Sequence, residues 1–165
     1  MKMVEAKIEG LALDMTTNTP VVILSPLDMD KVLPIWIGHA EAMGIAMQLS
    51  GVSAKRPLTY DLLKSVIEVL ESTVDRVEIT ELKEQTFYAR IYLVSDGETR
   101  ELDARPSDSI ALALKTGARI LINEDLLNIK SDLPQEETPP MPTDPEDLRE
   151  RLKRINPEDF GKYSL

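Results

Sequence analysis

The chain has 165 residues, of which 42% are hydrophobic, and this size and composition indicate one globular domain with a sizeable core. Its formal net charge of -10 argues against a protein that holds nucleic acid by bulk electrostatics, since such proteins usually carry a positive footprint. The chain has no cysteine, which excludes disulfides and thiolate chemistry, and its single histidine, His39, cannot form a multi-histidine metal site.

The N-terminal residues lack the long apolar segment of a signal peptide, and no run approaches the ~18 apolar residues of a membrane span. We therefore expect a cytoplasmic protein with no membrane partner. The absence of cysteine, the scarcity of asparagine and glutamine, and the 29% of charged residues together favour a thermophilic source.

Residues 1–51 predict three strands followed by a helix. The strand-like segments are VEAKIEGLAL, PVVIL and VLPIWI, and the last of these is apolar on both faces, which is typical of a covered strand. A strand this apolar is unsuited to a free edge, so we expect a dimer or larger homo-oligomer. The segment GHAEAMGIAMQLSG has helical spacing, and Gly51 fits a left-handed helix end.

The segment RPLTYDLLKSVIEVLES is the clearest helix in the chain. Thr59 is the predicted N-cap, and the Asp61 carboxylate favours the positive N-terminal end of the helix. Apolar residues recur at i, i+4 spacing, which is typical of a helix that packs one face on a core. The members of this stripe are Leu62, Leu63, Val66, Ile67 and Leu70.

The second half of the chain repeats this order of elements. Three strands are predicted in VDRVEITEL, TFYARIYLVS and ETRELDA, with turns at KEQ and at Asp96-Gly97, and PSDSIALALKTG is a helix that ends at Gly117. A last strand follows in ARILI. The helix segment EAMGIAMQL aligns with DSIALALKT, so we predict an α+β fold of duplicated β3-α units with a linking helix.

The predicted core domain covers residues 1–130. Residues 131–165 are predicted to form a proline-rich, acidic linker followed by a short helix in DPEDLRERLKRI. That helix carries a thin apolar stripe of Leu148, Leu152 and Ile155, and it is too short to be stable in isolation.

The chain contains four separated blocks, LPIWIGHAEA, RPLTYDLL, TFYARIYL and DARPSDSIALAL. In this order, over roughly residues 4–128, they resemble the bifunctional nuclease family. The resemblance implies a duplicated β3-α fold that commonly assembles into oligomers, and nuclease activity on RNA and DNA. Many members have histidine where this chain has Tyr60, so a general base at that position would be lost here. The polar motif positions of the family correspond here to Glu41, Arg56, Thr59, Asp61, Asp103, Arg105, Ser107 and Asp108.

The first functional hypothesis is a metal-dependent nuclease acting on RNA or DNA. Asp103 and Asp108 would hold Mg²⁺ or Mn²⁺, for which carboxylates are preferred ligands, while Arg105 contacts phosphate. The full set of predicted catalytic residues is Asp103, Asp108, Arg105 and Asp61. The predicted substrate-binding residues precede or begin helices, where phosphate is favoured, and they are Lys55, Arg56, Thr59 and Ser107.

A structural interpretation stands beside each of these assignments. Asp108 and Glu41 occupy helix starts, where an acid can cap the helix, and Pro106 suits the first helical position. Asp103 and Arg105 can form a pair that fixes the corner between strand and helix. The alternative function is therefore a non-enzymatic oligomeric module that binds a partner protein or a small ligand.

Overall fold

The computed structural model describes residues 1–128, so the predicted linker and C-terminal helix, residues 131–165, lie outside the described residues. The strands are β1 (Met3–Asp14), β2 (Thr19–Pro26), β3 (Leu33–Trp36), β4 (Thr73–Lys83), β5 (Thr86–Ser95), β6 (Glu98–Ala104) and β7 (Arg119–Asn123). The helices are α1 (His39–Leu49), α2 (Thr59–Val69) and α3 (Pro106–Thr116), and a 3-10 turn spans Glu124–Asn128. No helix within residues 1–128 combines the length and the apolar character needed to cross a membrane.

All seven strands belong to one mixed sheet with the order β3-β2-β1-β7-β4-β5-β6. The last strand, β7, lies between the two halves of the chain, antiparallel to β1 and parallel to β4. The α+β class and the predicted order of strands and helices are therefore confirmed, whereas the duplication of a β3-α unit stays a prediction.

The hydrophobic core lies between the sheet and the three helices, and α3 is its central helix. Most of α3 is buried, and its alanines and serines are small enough to let it pack closely against α1, α2, β4 and β5. The largest fully buried side chains are Leu24, Ile45, Ile79, Ile110, Leu112 and Ile122. The residues carried by α3 are consequently anchored in the buried centre of the fold.

Local irregularities follow the sequence pattern. The patchy alternation in β1 arises from a β-bulge, because the pairing with β2 shifts between Ile8 and Gly10. Asp96 and Gly97 have φ values of 52° and 78° and join β5 to β6 directly, which confirms the predicted two-residue hairpin. Gly117 has a φ of 74° and ends α3 in the left-handed conformation that glycine adopts at little cost.

The apolar strand β3 is covered within a single chain, although it is an edge strand of the sheet. Leu33, Pro34 and Ile35 are buried, while Trp36 is 38% exposed and its Nε1–H donates to Asp14 Oδ2 at 2.9 Å. Burial inside one chain accounts for the composition of β3, so this strand no longer supplies a reason for a homo-oligomer.

The start of α2 differs from the sequence prediction. The helix begins at Thr59, and Leu58 is its N-cap, so the prediction of Thr59 as the capping residue is wrong. The Leu58 N–H instead donates to Asp61 Oδ2 at 2.9 Å, which places the predicted helix-start acid in a capping role. Among the members of the predicted apolar stripe, only Ile67 is buried.

Candidate functional site

Arg105 lies between β6 and α3, and its guanidinium links α1 to α3. Its Nε donates to Asp108 Oδ2 at 2.7 Å and its Nη2 donates to Asp108 Oδ1 at 3.1 Å, while its Nη1 lies 2.9 Å from Glu41 Oε1. These contacts use three of the five N–H donors of a guanidinium. The side chain is 65% exposed, so the other two donors are accessible to a ligand. Hydrogen bonds to Asp108 and the nearby Glu41 raise the pKa of Arg105, which therefore stays charged.

Asp108 does not form the backbone bond expected of a capping acid. The N-terminus of α3 has Pro106 in its first turn, as predicted, but no side chain caps the helix. Both Asp108 oxygens instead bind side chains, because the Arg105 guanidinium lies three residues earlier and the Tyr60 hydroxyl approaches from α2. The capping interpretation of Asp108 is therefore wrong, and the acid instead links α3 to α2 through Tyr60 and holds the Arg105 guanidinium.

Tyr60 connects α2 to this cluster. Its hydroxyl donates to Asp108 Oδ1 at 2.9 Å, and its ring packs so closely on Gly44 that a Cβ at that position would lie 2.9 Å from Tyr60 Cε2. Burial, and then the hydrogen bond to Asp108, raise the pKa of Tyr60 well above its usual range. The phenol stays protonated at neutral pH, so Tyr60 is a hydrogen-bond donor here and does not replace a histidine base.

Asp61 lies in a second polar cluster, which is about two turns further along α1 and α3 than the cluster around Arg105. Lys115 Nζ is 2.6 Å from Asp61 Oδ1 and donates to Gln48 Oε1 at 2.9 Å, so this lysine joins α1, α2 and α3. The hydrogen bond from Lys115, and then that from the Leu58 N–H, lower the pKa of Asp61. Sequence reasoning missed Lys115 and Gln48, since nothing in their spacing indicates that they meet.

Replacing Asp61 with asparagine should weaken the dependence of stability on acidic pH. The folded-state pKa of Asp61 is lowered, so its ion pair stabilises the fold above the unfolded-state pKa of about 3.9, and this stabilisation is lost as the pH falls through the folded-state value. Urea unfolding from neutral pH down to about pH 3 measures this slope. Asp28→Asn, an exposed carboxylate with no ion pair among residues 1–128, is the control. Equal slopes for both variants would contradict the prediction.

Asp103 and Asp108 are not brought together. Asp103 of β6 lies opposite Arg90 of β5, and the Arg90 side chain is exposed. The residues on either side of Arg90 are Ala89 and Ile91, and both are buried beneath the helices. Because side chains alternate along a strand, Asp103 lies on the sheet face away from α3. Within residues 1–128, moreover, no group of three or more histidine, aspartate or glutamate side chains is placed to hold a metal ion.

The predicted substrate-binding residues are divided between two places. Lys55 and Arg56 are exposed in the loop before α2, and Thr59 is an exposed residue at the start of that helix. Ser107, in contrast, is only 5% exposed and lies in the first turn of α3 beside Arg105. The structure therefore separates Ser107 from the other three.

An open cleft of about 380 Å³ lies beside Arg105. Its walls come from four separate segments: the start of β2, the end of β3 with the following loop, the turn between β4 and β5 with the start of β5, and the first turn of α3 with the preceding Arg105. The lining residues are Thr19, Ile35, Trp36, Ile37, Gly38, Gln85, Thr86, Phe87, Arg105, Pro106 and Ser107. The volume falls in the range of small-ligand sites, and the lining combines apolar walls with a few polar groups and one cation. No sequence signal relates these four segments, so the cleft was missed.

Comparison with known proteins identifies the family. The bifunctional nuclease domain matches residues 22–133. An uncharacterized protein of Mycobacterium tuberculosis is 37% identical over 162 residues, which cover 94% of this chain and 97% of that protein. Bifunctional nuclease 1 of Oryza sativa subsp. indica is 29% identical over 113 residues, which cover 67% of this chain and 34% of that protein. Bifunctional nuclease 1 of Arabidopsis thaliana is 25% identical over 111 residues, 65% of this chain and 34% of that protein.

The chain therefore belongs to the bifunctional nuclease domain family, as its sequence motifs indicate. The matched segment spans about a third of the length of the plant relatives.

Proposed function

We propose that this protein is a nuclease that cleaves the phosphodiester bonds of RNA or DNA at the cleft beside Arg105. The observation that supports this proposal is a guanidinium held by two carboxylates at the edge of an open cleft, with two N–H donors left for a ligand. The planar guanidinium matches the oxygens of a phosphate group, and its charge does not depend on pH in the physiological range.

The cluster around Arg105 is suited to stabilising a phosphodiester transition state. A hydrogen-bond donor such as the Arg105 guanidinium is most effective when its position is set before the reaction, because no reorganisation is then required as charge develops on the phosphate. Glu41 from α1 and Asp108 from α3 hold the guanidinium, and Tyr60 from α2 holds Asp108. Three helices therefore orient one cation, and Ser107 lines the same wall of the cleft.

The finer part of the proposal is a requirement for Mg²⁺ or Mn²⁺. Arg105 contributes one positive charge, but Glu41 and Asp108 contribute two negative ones, so a phosphate at this edge needs another cation nearby. Magnesium keeps several waters and is often bound by one or two carboxylates together with substrate phosphates. Asp103 and Asp108 lie on different sides of the sheet, so only one of them would serve an ion bound with the substrate. Such an ion supplies Lewis-acid stabilisation of the phosphate oxygens.

The second candidate function is a non-enzymatic oligomeric module that binds a protein partner or a small ligand. It is favoured by the engagement of Glu41, Asp61 and Asp108 in ion pairs within the chain, which is also the arrangement of purely structural acids. The cleft would then hold a ligand without cleaving it.

The test is cleavage of single-stranded RNA and single-stranded DNA by highly purified full-length protein. We expect cleavage that needs Mg²⁺ or Mn²⁺, stops with chelator and weakens with added salt. Asp108→Asn should lower the rate by about 100-fold, because it removes the negative charge beside Arg105 and replaces Oδ2, the acceptor of Arg105 Nε, with an amide nitrogen that cannot accept. Asp103→Asn is the matched control and should keep most of the activity. If the wild-type protein cleaves no faster than Asp108→Asn under every metal condition, the nuclease proposal fails and the binding module replaces it.

A further inference from the structure

The outer face of α2 is apolar and uncovered in the described chain. Six large hydrophobic side chains of this helix and its two flanking residues are between 39% and 81% exposed. They are Leu58, Leu62, Leu63, Val66, Val69 and Leu70, and we call this surface the α2 face. No other helix of residues 1–128 carries a comparable set, since α1 exposes one large hydrophobic residue and α3 exposes none.

The α2 face contains no charge. At 3.6 residues per turn, its six residues occupy a sector of about 140° of the helix surface, and Thr59 is the only polar residue within that sector. The charged residues Asp61, Lys64 and Glu68 fall outside it. A helix face that contacts water is normally polar, so an uncharged sector of this width is typical of a surface that another protein surface covers.

We propose that the α2 face binds the α2 face of a second copy of this chain, in an antiparallel pair about a two-fold axis near residue 64. Leu58, Leu62, Val66 and Leu70 are spaced four residues apart and form one ridge along the helix. In the antiparallel pair, Leu62 meets the partner's Val66 and Leu58 meets the partner's Leu70. Such a contact is self-complementary, as a two-fold interface requires, and it also sets the two helix dipoles antiparallel.

The size of the surface fits a second copy. From the exposed fractions of its residues, the α2 face presents on the order of 600 Å² per chain, so a pair buries about 1,200 Å², the lower limit of a specific interface. A charged partner would find no group on this face to recognise. The other segment that could cover the α2 face is the predicted C-terminal apolar stripe of Leu148, Leu152 and Ile155. This stripe has only three apolar residues, whereas the α2 face has six.

None of the six residues of the α2 face lines the cleft beside Arg105, so the inference goes beyond the proposed nuclease and does not depend on it. Tyr60 and Asp61 lie outside the α2 face, because their side chains bond to Asp108 and Lys115 of α3. The pair would therefore carry two separate clefts.

The test is the mass of the full-length protein across a dilution series, measured by sedimentation equilibrium. We expect a dimer whose association strengthens with moderate salt, since two chains of charge -10 repel one another. Leu62→Glu and Val66→Glu should each weaken dimerisation by at least ~100-fold, because each places an unpaired charge twice in the interface. Leu102→Glu, at a residue of β6 with similar exposure, is the matched control and should dimerise like the wild type.

Circular dichroism keeps the result interpretable, since all three substitutions lie at exposed positions and should leave the melting temperature within a few degrees of the wild type. A wild-type chain that is monomeric at every concentration would overturn the proposal, and so would a dimer that neither glutamate variant weakens. A monomer that dimerises only after Leu152→Glu would also overturn it, because the C-terminal stripe would then be the occupant of the α2 face.

Discussion

Replacing Arg105 with alanine should lower the rate of RNA or DNA cleavage by about 100- to 1,000-fold, the usual cost of removing one preorganised donor from a developing negative charge. The loss should appear in kcat as well as in kcat/KM, because the guanidinium is oriented before substrate arrives and its benefit grows as charge accumulates on the phosphate. The substitution also leaves the Glu41 and Asp108 carboxylates at the cleft without their cation, which adds repulsion toward a polyanion.

Two controls separate this effect from damage to the fold. Arg105 is 65% exposed, and exposed ion pairs contribute only about 0–1 kcal/mol, so Arg105→Ala should unfold within a few degrees of the wild type. Arg105→Lys keeps the charge but cannot bond to both Asp108 oxygens and to Glu41 as the planar guanidinium does, so its rate should fall between those of the other two proteins. An Arg105→Ala protein with wild-type kcat would remove Arg105 from the site.

The predictable parts of the fold are those that depend on neighbouring residues. Asp96-Gly97 requires two positive φ values and therefore indicates a tight hairpin, and Pro106 suits the first turn of a helix because it has no N–H to lose. Alternation predicts the strands even where the β-bulge in β1 interrupts it, since the pattern resumes one residue later. These signals are local, so one sequence is enough to read them.

The parts that could not be predicted depend on contacts between distant segments. The insertion of β7 between β1 and β4 is such a case, because nothing in ARILI indicates its neighbours in the sheet. Asp108 is another: a capping role and an ion pair require the same residue type at the same position, and only the approach of Arg105 and Tyr60 decides between them.

Periodicity in α2 has a similar limit. It reveals an apolar stripe but cannot show what covers it, and within residues 1–128 the chain itself covers only Ile67. Asp103 is a similar case in a strand. Its position in the sequence suggests that it acts together with Asp108, but the alternation of side chains along β6 places it on the sheet face away from α3.

Replacing Ile110 with alanine should reduce the free energy of unfolding by about 2–5 kcal/mol, because it removes a fully buried side chain from the centre of the core. Domains of this kind have a total stability of about 5–15 kcal/mol, so the variant should unfold at a markedly lower urea concentration. Urea denaturation followed by circular dichroism measures the difference. Leu102→Ala, at an exposed residue of β6, should change stability by less than about 0.5 kcal/mol and is the control.

The same variant also tests whether α3 links the core to the candidate site. Ile110 is fully buried and lies outside the lining of the cleft, but its helix carries Asp108 and Lys115 and begins directly after Arg105. Below its lowered melting transition, Ile110→Ala should therefore cleave at close to the wild-type rate, and it should lose activity together with its helical signal as the temperature rises. A loss of stability under about 1 kcal/mol would show that the core closes around the missing methyl groups, and α3 would then not be the rigid support on which Arg105, Asp108 and Tyr60 depend for their alignment.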